Sequence, residues 1–262
     1  MSDLKQRTAT GLLFIGVMMA CILSHELSTL VLFGLIVFLG SLEMGRLIHF
    51  ERDFISAGLQ VIFFGMVSST FRCHIPFALV LTTGLLSVLI PALFTSPKGI
   101  PTSALLSLVL LSIPFGLLTY LPSVSGSRFT LLSFFLLLWT NDTFAYLSGR
   151  TFGKHKLWER LSPKKTWEGF IGGVTAAVIV SLIVGPYSNW STSDSIIIAM
   201  IIGALGTLGD LLESSLKRKA NVKDSGTLMP GHGGILDRFD GVMLSAPLVF
   251  IYLWMNGSIL LP

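Results

Sequence analysis

Residues 214–240, near the end of the chain, read SSLKRKANVKDSGTLMPGHGGILDRFD and mix basic and acidic side chains with glycine and proline. Carboxylates are the hard oxygen ligands that Mg2+ prefers, and protein-bound Mg2+ is commonly held by one or two of them together with substrate phosphates. Cationic side chains bind phosphate oxygens, and glycine lets the backbone approach an anion closely. The segment therefore predicts a site for a nucleoside triphosphate with magnesium, built from the cations Lys217, Arg218 and Lys223 and the acids Asp224, Asp237 and Asp240.

A second group of polar residues shares one face of a predicted helix. Asp210, Glu213, Ser214 and Lys217 follow the spacing i, i+3, i+4, i+7, which places them on the same side. Acids inside or at the edge of an apolar helix are costly, so they usually face a cavity, a partner or an ion. We expect this row to face a charged substrate or metal. Solvated acids at a helix end in the lipid headgroup layer are the alternative.

Two acids in other apolar runs receive different interpretations. Asp142 follows Asn141 and precedes Tyr146 by one helical turn, and we interpret it as a functional acid. A buried acid held by hydrogen bonds or by an arginine is the alternative for Asp142. Glu43 lies three residues before Arg46 at the end of an apolar run, so it is interpreted as a helical ion pair at the membrane interface and not as a catalytic group.

Residues 149–170 form a basic loop with the sequence GRTFGKHKLWERLSPKKTWEGF. It carries six Lys and Arg side chains around a predicted Ser-Pro-Lys-Lys-Thr turn. Ammonium groups and the backbone amides of a tight turn both bind phosphate oxygens, so the loop predicts an anion site. Nonspecific binding of anionic lipid headgroups is the alternative for such a segment taken alone.

Several familiar catalytic patterns are missing from the sequence. It contains neither the P-loop pattern G-x-x-x-x-G-K-[ST] nor the dinucleotide pattern G-x-G-x-x-G. The zinc protease pattern H-E-x-x-H and the hydrolase pattern G-x-S-x-G are absent too. Cys21 and Cys73 belong to no metal or redox motif, so small, mostly buried residues are the simplest interpretation.

The composition decides which kind of element must position these groups. Of the 262 residues, 52% are hydrophobic and only 12% are charged, against roughly 25% charged in an ordinary soluble domain. This excludes a water-soluble globular enzyme, and because a membrane span needs about 20 apolar residues, the length suits a polytopic bundle. We predict an all-α integral membrane helix bundle, residues 1–262 as a single membrane domain, with nine spans at about 9–24, 27–45, 57–72, 76–94, 102–121, 129–148, 169–187, 195–213 and 242–261.

The basic residues also indicate an orientation for this bundle. With nine spans, 16 of the 18 Lys and Arg residues fall on one side of the membrane. The positive-inside rule then places the N-terminus and the two long basic loops in the cytoplasm. Residues 1–128 hold N-terminal spans with short loops, whereas 129–262 hold both long loops and form the predicted catalytic half.

The charged segments together resemble the phosphatidate cytidylyltransferase (CDP-diacylglycerol synthase) family in its bacterial form. The family signature runs Ser, two residues, Lys-Arg, four residues, Lys-Asp, then Gly and Pro-x-His-Gly-Gly before Asp-Arg-x-Asp. The upstream blocks Asn141-Asp142-Thr143, Gly153-Lys154-His155 and Leu161 to Gly169 are also similar. The resemblance covers about 130–245 closely and the first half only as generic spans. The signature residues are Ser214 or Ser215, Lys217, Arg218, Lys223, Asp224, Gly226, Pro230, His232, Gly233, Gly234, Asp237, Arg238 and Asp240.

The resemblance implies an enzyme that converts CTP and phosphatidate to CDP-diacylglycerol and pyrophosphate with Mg2+. It implies Asp210 and Asp237 as metal ligands, Asp142 and Asp224 as outer or positioning acids, and His232 as a group that orients a phosphate or moves a proton. A turn histidine that only holds the loop is the alternative for His232. Metal number and the participation of a monovalent cation stay open. The expected catalytic set is Asp210, Asp237, Asp224, Lys223 and His232, and the expected substrate-binding set is Asn141, Asp142, Ser162, Lys164, Lys165, Thr166, Ser214, Lys217, Arg218, Arg238 and Asp240.

Two other functions stay as alternatives. One is another CTP-dependent lipid transferase or a polyprenol kinase, and the other is a membrane transporter, which acids inside a helix bundle would suit. Against the transporter, the polar groups concentrate at one membrane face, and the first five predicted spans contain almost none. The expected partners are CTP, phosphatidate and membrane lipid, with no nucleic acid and with the homodimer that the resemblance implies. The expected location is the cell inner (cytoplasmic) membrane.

Overall fold

The computed structural model describes residues 3–48, 54–70, 77–94, 102–228 and 233–256. The chain divides into two compact units. Unit 1 comprises Met1–Tyr120 and Leu216–Phe239, and unit 2 comprises Leu121–Ser215 and Asp240–Pro262. The helices are α1 Asp3–Ser24, α2 Glu26–Leu47, α3 Phe54–Thr70, α4 Phe77–Phe94, α5 Thr102–Ser107, α6 Ile113–Ser125, α7 Phe129–Phe152, α8 Trp167–Val184, α9 Thr192–Lys219 and α10 Leu236–Met255.

The helices coincide with the apolar runs of the sequence. In lipid, every backbone N–H and C=O must be satisfied within the protein, and a helix does this locally. Each of the nine predicted runs overlaps a helix within the described ranges, and a π-helical segment, Leu108–Ser112, joins α5 to α6. The all-α membrane fold is thus confirmed, whereas the number of crossings, the orientation and the single-domain organisation stay predictions. Within the described residues, the helices that are long and apolar enough to cross a membrane are Glu26–Leu47, Thr102–Ser125, Trp167–Ser188, Thr192–Lys219 and Leu236–Met255.

The described residues of the predicted catalytic half contain one two-stranded antiparallel sheet. Strand β1, Lys156–Trp158, pairs with strand β2, Ser162–Thr166. The Ser-Pro-Lys-Lys-Thr segment is therefore a strand, and the prediction of a tight turn there is wrong. The chain reverses earlier, where the backbone N–H of Leu161 donates to the carbonyl of Trp158. Alternate backbone amides of an antiparallel strand bond to its partner, and the Lys164 and Lys165 side chains are the candidate phosphate contacts of β2.

Small residues let α7 and α8 pack closely in unit 2. The buried positions of α8 recur every fourth residue, and large apolar side chains occupy its exposed side. A Cβ atom at Gly173 would lie 2.7 Å from the Asn141 carbonyl, and one at Gly169 would lie 2.7 Å from the Ala145 carbonyl. Small-residue stripes of this kind are typical of helix pairs in membranes, where close backbone contact replaces the hydrophobic effect. The buried stripe consists of Gly169, Gly173, Ala177 and Ser181.

A row of aromatic rings forms much of the core of unit 1. The ring centroids of Phe33 and Phe115 are 5.1 Å apart, those of Phe115 and Phe239 are 5.2 Å apart, and those of Phe14 and Phe239 are 5.6 Å apart. All three pairs meet edge to face, the arrangement that the ring quadrupoles favour. Phe239 lies in the first turn of α10, so this row holds the start of α10 against α1, α2 and α6.

A buried polar contact accompanies the π-helical segment. The Gln60 side chain of α3 is fully buried, and its amide nitrogen donates to the Ala104 carbonyl at 3.1 Å. The Ser112 hydroxyl donates to the Gln60 amide oxygen at 2.9 Å. A π-turn disturbs the regular hydrogen-bond ladder of a helix. Gln60 therefore links α3 to α5 and to the π-helical segment.

The contact between α7 and α8 yields a stability prediction. Gly173→Ala should lower the free energy of unfolding by about 1–3 kcal/mol, because the new methyl group meets backbone that cannot move without shifting a helix. The measurement is the thermal unfolding midpoint of the purified protein in detergent. Gly65→Ala is the control, since a Cβ atom there meets nothing within 4 Å. Equal midpoints for the two variants would contradict the packing argument.

Candidate functional site

Three carboxylates meet in unit 2, and we call Asp210, Glu213 and Asp240 the carboxylate cluster. One oxygen from each lies within 4.8 Å of the others. Asp210 and Glu213 are neighbours on α9, and Asp240 comes from α10. Gly209 permits this approach, because a Cβ atom at that position would collide with the Asp240 carbonyl. The cluster therefore depends on the close packing of two backbones as well as on the acids.

A lysine from the β-sheet enters the carboxylate cluster. The Lys165 ammonium lies 2.5 Å from an Asp210 carboxylate oxygen and 3.4 Å from the Thr207 carbonyl. The Ser214 hydroxyl donates to the other Asp210 oxygen at 3.3 Å. Carboxylates this close repel one another, so the arrangement favours a cation among them. An all-oxygen donor set fits a hard divalent ion such as Mg2+, Mn2+ or Ca2+.

Three of the four residues in the row predicted on α9 are buried, and Asp210 is partly exposed. Glu213 is 0% exposed, and Ser214 and Lys217 are buried as well. The alternative of solvated acids at a helix end is wrong for Glu213, because its side chain has no contact with solvent. The sequence predicts Glu213 on that face but does not identify it as a catalytic residue or a metal ligand. Helical spacing places it beside Asp210, whereas its proximity to Asp240 on another helix is visible only in the structure.

Asn141 and Asp142 occupy different surroundings on α7. Asn141 is 1% exposed, and its amide donates to an Asp142 oxygen at 3.3 Å. The side-chain oxygen of Asn141 is buried with no hydrogen bond from the residues that the structure describes. Asp142 is exposed, so the buried-acid alternative is wrong for this residue. Asn141 is held between α7, α8 and α9, whereas Asp142 is exposed.

The remaining residues of β2 have distinct positions. Lys164 is exposed, and Ser162 is partly exposed opposite Trp158. Thr166 is buried, and its hydroxyl accepts from the Gly169 N–H at 3.1 Å, capping the start of α8. This cap fixes where the strand ends and the helix begins. Thr166 therefore determines where the preceding lysines project.

Asp237 makes a separate set of contacts in unit 1. One of its oxygens lies 2.5 Å from the Lys217 ammonium. The other accepts from the Ser225 N–H at 2.9 Å and from the Gly234 N–H at 2.8 Å, and the Ser225 hydroxyl oxygen lies 2.9 Å from it. Gly233 adopts a φ of 84°, a conformation that favours glycine, and a Cβ atom there would press on the Asp237 carboxylate. The described parts of the signature between α9 and α10, residues 224–228 and 233–235, which we call the signature loop, thus supply Ser225 and Gly234 as partners of this aspartate.

Glu43 has a different role from the one its sequence position indicated. Its side chain is 4% exposed. It accepts hydrogen bonds from the Ser225 hydroxyl at 2.9 Å and from the backbone N–H groups of Ile235 and Leu236, both at 3.0 Å. The interpretation as an ion pair at the membrane interface is therefore wrong. These donors are more than 180 residues away in sequence, so helical spacing alone could not reveal them.

The other predicted site residues are more exposed. Lys223 and Asp224 are exposed in the segment after α9, and the Arg218 guanidinium donates to the Val222 carbonyl at 3.2 Å. Arg238 is partly exposed in the first turn of α10. His232 lies outside the described residues, as do Pro230 and Gly231 of the signature. The structure brings Lys165, Asp210 and Ser214 together with Asp240, and it brings Lys217 together with Asp237.

Comparisons with known proteins show several similar sequences. A sequence model described as the "Cytidylyltransferase family" matches residues 5–256. A protein of Rickettsia felis named phosphatidate cytidylyltransferase is 40% identical over 154 residues, which are 56% of this chain and 68% of that protein. Its namesake in Rickettsia prowazekii is 42% identical with the same coverage. Another in Staphylococcus saprophyticus is 50% identical over 121 residues, 45% of this chain and 46% of that protein.

The carboxylate cluster yields a prediction about metal binding. The purified protein should bind Mn2+, and Asp240→Asn should weaken that binding at least about tenfold, because one charged ligand of three is lost. The loss of the free-ion Mn2+ signal in electron paramagnetic resonance measures this. Asp194→Asn is the matched control, since Asp194 lies at the other end of α9 and is held by Ser191 and Tyr252. Equal affinity in both variants would contradict a metal site at the cluster.

Proposed function

The chain belongs to the cytidylyltransferase family, and from this premise we propose that it transfers the cytidylyl group of CTP to phosphatidate, forming CDP-diacylglycerol and pyrophosphate. The observation that carries the proposal is the pairing of Lys165 with Asp210 inside the carboxylate cluster. A cation beside metal-ligating carboxylates suits a metal-bound polyphosphate. The three carboxylates lie on long apolar helices, a location that suits a lipid as the second substrate.

The reaction exchanges one phosphoanhydride bond for another. A phosphate oxygen of phosphatidate attacks the α-phosphorus of CTP in line. The bond between that phosphorus and the oxygen bridging to the β-phosphorus breaks, and pyrophosphate leaves with the bonding electrons. Phosphatidate is already an anion at neutral pH, so no strong base is needed. Positioning and charge neutralisation carry most of the rate in such transfers.

The carboxylate cluster supplies the ligands for the metal in this proposal. Asp210 would hold Mg2+, as the family resemblance implies, and the contacts of Glu213 and Asp240 add them as candidate ligands. Bound Mg2+ would neutralise negative charge on the phosphate oxygens. Asp237 enters as a ligand through the resemblance, and its bond to Lys217 supports a role for this pair where phosphate charge must be balanced.

The basic side chains would hold the phosphates. Lys165 and Lys217 are each already fixed by a carboxylate, so they can face an incoming phosphate without losing much side-chain freedom. His232 and Asp224 would orient the substrates. Cationic side chains that are more exposed would bind phosphate less rigidly. The further phosphate contacts proposed, from exposed or partly exposed side chains, are Lys164, Arg218, Lys223 and Arg238.

We place the site at the cytoplasmic face of the inner membrane. The concentration of Lys and Arg on one side of the predicted spans supports this orientation. CTP is water-soluble and phosphatidate is a lipid, so their reaction requires a site at that boundary. A homodimer remains part of the proposal through the family resemblance.

Labelled CTP tests the activity and separates it from the alternatives. Purified protein with Mg2+, phosphatidate and CTP labelled at the α-phosphorus should give a labelled lipid, and CTP labelled at the γ-phosphorus should not. A polyprenol kinase would give the reverse result with polyprenol as acceptor. The absence of label from every lipid would contradict both enzymes.

Lys165 provides a mutational test of the site. Lys165→Met should lower kcat about 100-fold, because it removes the cation that Asp210 orients. Lys156→Met removes one positive charge from the paired strand, where Lys156 is exposed, and should leave kcat within about threefold. Equal losses in the two variants would show that only the net charge of the sheet matters.

A further inference from the structure

A carboxylate from the N-terminal part of the chain holds the signature loop. Glu43 lies in the last turns of α2, and its three donors belong to the segment that leads into α10. Both of its oxygens are engaged: one accepts from the Ile235 N–H, and the other from the Leu236 N–H and the Ser225 hydroxyl. A buried carboxylate with both oxygens bonded to the protein acts on the residues that it binds and not directly on substrate.

The start of a helix is where such a carboxylate has most influence. The first backbone N–H groups of a helix lack partners within the helix, and they carry the positive end of its dipole. Most helices satisfy them with a side chain just before the first turn. Here Glu43 of α2 serves the donors at Ile235 and Leu236, and so ties α2 to the first turn of α10.

Two glycines of the signature make room for Glu43. A Cβ atom at Gly226 or at Gly234 would collide with the Glu43 carboxylate. Neither glycine has a positive φ, so the backbone conformation would allow other residues at these two positions. A larger residue is excluded because its side chain would occupy the space of the Glu43 carboxylate. The loop is therefore shaped around the Glu43 side chain.

We propose that Glu43 is a positioning residue for Asp237, a role that rests on the proposed cytidylyltransferase activity. Asp237 directly follows the residue whose N–H group Glu43 binds. Ser225 connects the two acids, since its hydroxyl lies 2.9 Å from an oxygen of each. Glu43 thus holds the backbone before Asp237 and the serine beside it, so that the Asp237 carboxylate stays directed at Lys217.

The test compares Glu43→Gln and Glu43→Asp in the full-length protein in detergent. Glutamine keeps the size of the side chain but loses its charge and one acceptor oxygen. Glu43→Gln should lower kcat at least about 30-fold and raise the Mg2+ concentration for half-maximal rate at least about tenfold. Glu43→Asp should lose less, because it keeps the carboxylate. The rates are normalised to folded protein, and the thermal unfolding midpoint is measured alongside.

Gln60→Leu is the matched control. Gln60 is also a fully buried polar residue of unit 1, but its bonds go to Ala104 and Ser112, away from the signature loop. This variant should lower the unfolding midpoint and leave the Mg2+ dependence unchanged. If Glu43→Gln matches the control, with a lower midpoint and an unchanged Mg2+ dependence, Glu43 is only structural and the proposal is overturned.

Amide hydrogen exchange separates this proposal from the proposed activity. In Glu43→Gln, exchange should accelerate in peptides that cover Ser225 and 233–238 and stay unchanged in peptides from α3. That local change in a protein with no cytidylyltransferase activity would reject the function while supporting the positioning of the loop. Unchanged exchange around 233–238 would overturn the positioning role whatever the activity.

Discussion

Carboxylates held on apolar helices impose the constraint on which the rest of this structure depends. Moving a charged group out of water costs several kcal/mol even after the protein relaxes, and breaking a buried pair leaves that cost uncompensated. The described acids meet this constraint in different ways. Asp210 takes an ammonium and a hydroxyl, Asp237 takes an ammonium and backbone N–H groups, and Glu43 takes two N–H groups and a hydroxyl. Each solution fixes a loop or a strand end.

Close helix packing determines where these charges can meet. Glycines on α8 allow α7 to approach it, and the turn between them carries β2 and its lysines. Gly209 likewise allows α9 to approach the backbone of α10 at Asp240. In a membrane such contacts are stabilised by van der Waals packing and not by expulsion of water, so small changes in side-chain volume matter. The geometry of the carboxylate cluster therefore depends on residues that carry no charge.

The N-terminal helices contribute residues that hold the signature loop and the start of α10. Their sequence contains few charged groups, and Glu43 could be interpreted from it only through its spacing to Arg46. In the structure Glu43 joins α2 to the signature loop, and the aromatic row that includes Phe33 and Phe115 supports Phe239 in the first turn of α10. In unit 1, the apolar core of the N-terminal helices therefore packs against the signature segment Leu216–Phe239.

The sequence alone determined the helical membrane fold, the family and most residues of the candidate site, because apolar runs, charge concentration and the spacing of a long motif are properties of neighbouring residues. Helical periodicity also placed Glu213 beside Asp210. Only the tertiary structure decided that Asp240 joins them, that Asp237 pairs with Lys217, that Lys165 projects from a strand, and that Glu43 is buried. These contacts join different elements, and the charge state and partners of a buried acid depend on which donors the fold brings to it.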